Sequence, residues 1–172
     1  MVLRHISQTL AFICVASVGF LSGESRRVTG EYRNPALGYS VVLPHGLTGI
    51  TGDQDGPERG VRVFLPSGAV VSIYGEPNSS GWGTPVEGVQ HALSYEKCDS
   101  QQQETTQARV GSLKAAKGQL VCGDRIVVLL RAFRPGGGPI YGLRLQTTSG
   151  HDREDEAALS NLAAGFKLIR WQ

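Results

Sequence analysis

The sequence predicts an α+β domain: a mainly antiparallel sheet with a short helix and a C-terminal helix packed on its faces. Three observations carry this. Twenty-three glycines against a single methionine suit strands joined by turns better than a helical bundle. Alternating or continuous apolar runs of strand length recur between those turns. Only the stretches after Thr84 and near Asp152 combine a helix start with an apolar stripe at helical spacing.

Val28 to Arg33 reads as a short strand, and Asn34-Pro35-Ala36-Leu37-Gly38 as a turn. Tyr39-Ser40-Val41-Val42-Leu43 is a strand ended by Pro44. His45 to Gly60 has little apolar pattern beyond Leu47 and Ile50, which predicts a surface loop. Val61 to Leu65 and Ala69 to Tyr74 form a hairpin over Pro66-Ser67-Gly68. A glycine-rich stretch from Gly75 to Gly83, holding Trp82, leads into the first helix. Thr84 is its N-cap, Pro85 its first residue and Glu87 completes a capping box. Val86, Val89 and Leu93 then share one face.

Gln103 to Val110, Leu113 to Cys122 and Arg125 to Phe133 are three successive strands, turning at Gly111-Ser112 and Gly123-Asp124. The third has Ile126, Val128, Leu130 and Ala132 on one side and Val127, Leu129 and Phe133 on the other, so it is central and covered on both faces. Arg134 to Pro139 connects to a returning strand, Ile140 to Thr148, with Tyr141, Leu143 and Leu145 on one side and Arg144 and Gln146 on the other. The final helix starts near Asp152, whose carboxylate is placed to cap it, with Glu154, Asp155 and Glu156 at the positive end of its dipole. Leu159, Leu162, Ala163 and Phe166 make its apolar stripe. Lys167 to Trp171 is a last short strand or tail.

The 172 residues leave room for one ordinary domain. Arg4 and His5, an apolar run from Leu10 to Leu21 and then Ser22-Gly23 have the layout of a secretory signal peptide. The run is about a dozen residues, whereas a bilayer-spanning helix needs about twenty. The expectation is a signal peptide over 1–25 and a globular domain over 26–172, periplasmic or secreted, with no stable membrane span after cleavage. Removing that signal segment takes away both Arg4 and Glu24 and leaves the net charge at +2. That is too small an excess to suggest a nucleic-acid surface, where clustered lysine and arginine are expected.

Cys98 and Cys122 are then the two remaining cysteines, and in an exported domain they read as a disulfide. The chain-entropy model gives a bond across such a loop, about 25 residues, roughly 3–4 kcal/mol. No His-x-x-x-His or Cys-x-x-Cys spacing accompanies them, so neither a metal nor a cofactor is expected. Asp53, Asp55 and Glu58 do not complete a calcium loop and read as a solvated acidic turn. Gly-x-Ser-x-Gly is absent. His91 and His151 read as helix-surface and helix-start residues, and no histidine is tied by sequence to a nucleophile.

Three residues stand out as binding candidates. Trp82 is an aromatic in a glycine-rich loop, a type enriched in binding hot spots. His45 sits between Pro44 and Gly46, where a loop presents a side chain. Arg131 shares a strand face with Leu129 and Phe133, which snorkelling at the sheet edge or an acidic partner such as Glu96 explains.

Tyr39 to Pro44, the hairpin from Arg125 to Thr148 and the helix end Leu162-Ala163-Ala164-Gly165-Phe166 resemble the PsbP-like superfamily of exported domains, named for a lumenal extrinsic subunit of photosystem II. The resemblance implies an α/β/α sandwich and a binding or assembly role without shared catalytic residues. The cysteine pair and the long glycine-rich loop lie outside its pattern. The function expected is therefore a non-catalytic exported domain that binds a protein or envelope component. The alternatives are an exported hydrolase assembled from distant residues, with His45 as base, and a small-ligand-binding domain.

Overall fold

The computed structural model describes residues 25–52, 60–98 and 102–170, so residues 1–24 of the expected signal peptide and the Asp53, Asp55 and Glu58 turn lie outside the described residues. In chain order the elements are β1 (Arg26–Val28), β2 (Glu31–Asn34), β3 (Tyr39–Val42), β4 (Thr48–Thr51), β5 (Gly60–Phe64), β6 (Val70–Pro77), α1 (Pro85–Ser94), β7 (Gln102–Val110), β8 (Leu113–Cys122), β9 (Arg125–Phe133), β10 (Pro139–Thr148), α2 (Asp152–Ala164) and β11 (Phe166–Leu168). Eight strands form one sheet in the order β1-β4-β5-β6-β10-β9-β8-β7, and β11-β3-β2 form a second. Every pairing is antiparallel. The fold is thus α+β, mostly antiparallel sheet with two helices.

The predicted central strand β9 lies between β10 and β8 and is buried on both faces. Ile126, Val128, Leu130 and Ala132 enter the main core, which also takes Tyr39 and Val41 from the small sheet and Leu159, Leu162 and Ala163 from α2. Leu129 turns to the opposite face, where Ala116, Leu120 and Leu129 pack against Val89 and Leu93 of α1. At the centre of the main core Tyr39 stacks on Phe166 with centroids 5.2 Å apart and meets Tyr141 edge-on at 5.5 Å. Such ring pairs contribute about 0.5–1.5 kcal/mol each beyond area burial, so the first holds β3 to β11 and the second binds the small sheet to β10.

The capping box of α1 forms as the sequence predicts: Thr84 Oγ1 accepts from the Glu87 N–H at 3.2 Å, and the Glu87 carboxylate accepts from Thr84 N–H at 3.3 Å. Cys98 and Cys122 are bonded, with Cα atoms 5.4 Å apart, fastening the chain after α1 to the end of β8.

Three expectations are corrected. The segment 28–33 is two strands, because the chain turns at Gly30 with a φ of +75°. The predicted loop from His45 holds β4, inserted between β1 and β5. Its pattern is weak because its one buried residue is Gly49, where a Cβ would stand 2.5 Å from Val61 Cγ2. Asp152 does not cap α2 but is its first helical residue; His151 holds the N-cap position, without a side-chain cap bond. The acidic residue with a specific role is Asp155, which is buried and accepts from Ser67 Oγ at 2.7 Å and from the Thr147 hydroxyl.

Candidate functional site

Helix α1 covers the β8 and β9 part of its face of the large sheet and reaches β7. On that same face β6, β5, β4 and β1 continue without a covering element among the described residues, while the reverse face of these strands supplies Val61, Val63, Val71 and Ile73 to the main core. Residues opposite each other in a sheet share a face, and the register sets Arg27, Ile50, Arg62, Ser72, Arg144 and Leu129 in one row. Three arginines therefore stand on three different strands along a single line, ending where α1 begins. The next row brings Thr48, Phe64, Val70 and Gln146 together, and Phe64 is 39% exposed. Arg62 holds its guanidinium 5.9 Å from the Phe64 ring centroid. Arg62, Val70, Ser72, Arg144 and Gln146 line a depression of about 250 Å³.

Arg131 lies on the same face, one row away. It is buried, it forms an ion pair with Glu76, and its guanidinium lies 5.2 Å from the Tyr74 ring centroid. The Tyr74 ring crosses the sheet over Gly142, where a Cβ would stand 2.5 Å from Tyr74 Cζ. Burial raises the pKa of the Tyr74 phenol, opposed by the neighbouring Arg131 charge. Among the described residues the Arg131 Nε has no hydrogen-bond partner.

The expected partner Glu96 is a correction. Glu96 follows α1 and descends one row further on, where it takes Arg144 at 2.8 Å and Arg125 at 3.2 Å. Arg131 reaches Glu76 because that residue stands two positions beyond Tyr74 on the same face of β6. One carboxylate shared between two guanidinium groups leaves the Arg144 end of the row positively charged.

Trp82 is half-buried and fixed by its backbone, which exchanges hydrogen bonds with the Asn78 side chain at 2.9 and 3.0 Å. Its ring lies 4.7 Å from that of His91, which in turn lies 4.9 Å from Tyr95, a residue 73% exposed. His45 is exposed in a turn in which Leu47 N–H donates to Pro44 O at 3.0 Å. Among the described residues no serine or carboxylate meets it. Trp82 and His45 are not brought together. Thr48 is opposite Phe64 and Phe64 opposite Val70, at the start of β6, while Trp82 follows the end of β6. That strand is roughly 25 Å long.

Strand alternation in the sequence puts Arg144 and Gln146 on one side of their strand but does not join Arg27 and Arg62 to them. The only local signal was Arg62 alternating with Val61 and Val63. Among the described residues no group of three or more His, Cys, Asp or Glu side chains could hold a metal, and no helix is long and apolar enough to cross a membrane.

No family model matches the chain, and no curated protein matches it by sequence. Among solved structures it is similar to cyanobacterial PsbP (CyanoP) from Synechocystis sp. PCC 6803, with a TM-score of 0.51 and 14% identity over 89% of this chain and 96% of that one. A weaker likeness, TM-score 0.49 and 12% identity, covers 83% of this chain and 49% of a protein from Bacteroides thetaiotaomicron VPI-5482. The register, the two helices and the paired sheets described above are thus arranged in a PsbP-like fold.

Proposed function

We propose that the chain is a non-catalytic exported domain, an α/β/α sandwich, that docks an acidic surface of a protein or envelope component on its open sheet face. The observation that carries this reading is the row Arg27, Arg62 and Arg144, held at fixed spacing by strand register. Guanidinium groups recognise carboxylates and phosphates by paired hydrogen bonds. A rigid sheet spends little conformational entropy in presenting them, and Phe64 adds apolar contact beside the charges. The bonded cysteine pair supports export, since such bonds persist in oxidising compartments. The apolar N-terminal run supports it independently. Arg131 belongs to this face, and Trp82 and His45 are contact positions at the two ends of the sheet. The hydrolase alternative gains no support from a His45 that meets neither a serine nor a carboxylate among the described residues.

The test is site-specific photo-crosslinking of the full chain in its native envelope, with the reactive group at Ser72 and a control at Ser160 on α2. A specific adduct from Ser72 is expected, lost in Arg27→Glu/Arg62→Glu protein that keeps its thermal midpoint. Equal adducts from both positions, or an adduct indifferent to charge reversal, would overturn the proposal.

A further inference from the structure

The two edges of the large sheet are built differently. β1 is three residues long and carries Arg26 and Arg27, which are ordinary defences against further pairing. β7 at the other edge runs nine residues, Gln-Gln-Glu-Thr-Thr-Gln-Ala-Arg-Val, with no proline and no lysine. Its register with β8 advances without a bulge from Gln102 opposite Val121 to Val110 opposite Leu113. Among the described residues β8 is its only strand neighbour. Every second residue of such an edge turns its N–H and C=O away from the sheet, so β7 offers a straight, regular hydrogen-bonding template.

A cavity of about 560 Å³ flanks this edge toward the end of the strand. Pro85 and Val86 give it apolar surface, with Gln107 beside them, and Val86 is 39% exposed. Arg109 and Lys114 also line it. These two cations are opposite each other in the register, and like charges so placed repel. No carboxylate forms an ion pair with either among the described residues. An apolar recess beside an open edge, bordered by two unneutralised cations, is the arrangement that strand addition uses: main-chain bonds supply affinity, and pockets for alternate side chains supply selectivity.

We propose that β7 accepts an extended segment of a partner protein as an added strand. One apolar side chain of that segment enters the recess beside Val86, and an acidic side chain two residues away meets Arg109 and Lys114. A second copy of this chain does not supply that chemistry. Glu104 is the only carboxylate of β7 and lies an odd number of residues from Arg109, hence on the opposite face. Two-fold pairing of β7 with itself keeps each face on its own side, so Glu104 never reaches Arg109. This inference concerns a different surface from the arginine row and stands apart from it.

The test uses the full chain and a fluorescent heptapeptide, Thr-Val-Thr-Leu-Thr-Asp-Thr, with its Asp→Lys counterpart, read by anisotropy and by amide hydrogen exchange. The aspartate peptide is expected to bind about tenfold or more tightly than the lysine peptide, as charge-assisted contacts imply, and to slow exchange of β7 amides. Arg109→Glu/Lys114→Glu protein, whose substitutions are on the surface, should reverse that preference. Absence of binding, equal binding of the two peptides, or protection elsewhere than β7 would overturn the proposal. So would peptide-independent dimerisation that protects β7, which would assign the edge to a second copy.

Discussion

At Gly118 helix α1 comes so close to the sheet that a Cβ would stand 2.3 Å from Val89 Cγ1 and 2.7 Å from Leu93 Cδ1. The residue is in the middle of β8, where glycine weakens a strand, so its presence reports a packing requirement. Gly118→Val is expected to push α1 outward and destabilise the domain by about 1–3 kcal/mol, as overpacked cores do; the urea midpoint measures it. Gly142 answers the same need for the Tyr74 ring. Arg131 illustrates how far single residues are legible. A charged residue among apolar neighbours is visible as an anomaly in sequence, but its partner depends on which strand lies two places away. The register sets Arg131 opposite Gly142 and Gly142 opposite Tyr74, and this places Glu76 within reach and leaves Glu96 to Arg125 and Arg144.

Helix α2 is secured at the level of elements rather than by its own propensity. Its stripe of Leu159, Leu162 and Ala163 enters the main core, and Lys117 of β8 pairs with Glu156. Asp155 fixes its first turn to the β5–β6 hairpin through Ser67 and to β10 through Thr147. Asp155→Ala leaves both hydroxyls without their acceptor, and an expected loss of about 1.5–3 kcal/mol follows from the strength of hydrogen bonds to a charged group, measurable by chemical unfolding. Asp155→Asn should recover part of it. The α1 capping box was legible because its partners are three residues apart in sequence. β4 was not, because a four-residue strand whose buried position is a glycine has no periodicity to detect. Its pairing is decided by β1 and β5 on either side.

At the scale of the molecule, the two sheets meet through Tyr39 and Tyr141, and burial holds these two and Tyr74 on the opposite face of the large sheet protonated. Desolvation raises the pKa values of Tyr39, Tyr74 and Tyr141 above their ordinary value of 10.0. Near Tyr39 the adjacent Tyr32 pushes the same way, while Arg134 lowers Tyr141 in part. The folded state therefore retains protons that the unfolded chain releases. The stabilisation is complete below about pH 10 and is lost as pH rises above it. Unfolding midpoints should hold steady up to about pH 10 and fall progressively as pH rises beyond it. Tyr39→Phe should flatten that slope even if it alters the midpoint at neutral pH. An unchanged slope would show that Tyr39 is not the group responsible.

The sequence by itself determined the α+β class, the doubly covered central strand, the helix cap and the cysteine pair, along with the likeness to a PsbP-like fold. Each rests on short-range periodicity, on a local hydrogen-bonding motif or on residue type, properties that survive without knowledge of distant neighbours. Only the tertiary structure decided that Arg27, Arg62 and Arg144 form one row, that Trp82 and His45 stand at opposite ends of the sheet, and that β7 is an edge strand among the described residues. These depend on strand order and register. Register is set by how apolar faces far apart in sequence close on a shared core, and no window along the chain contains that information.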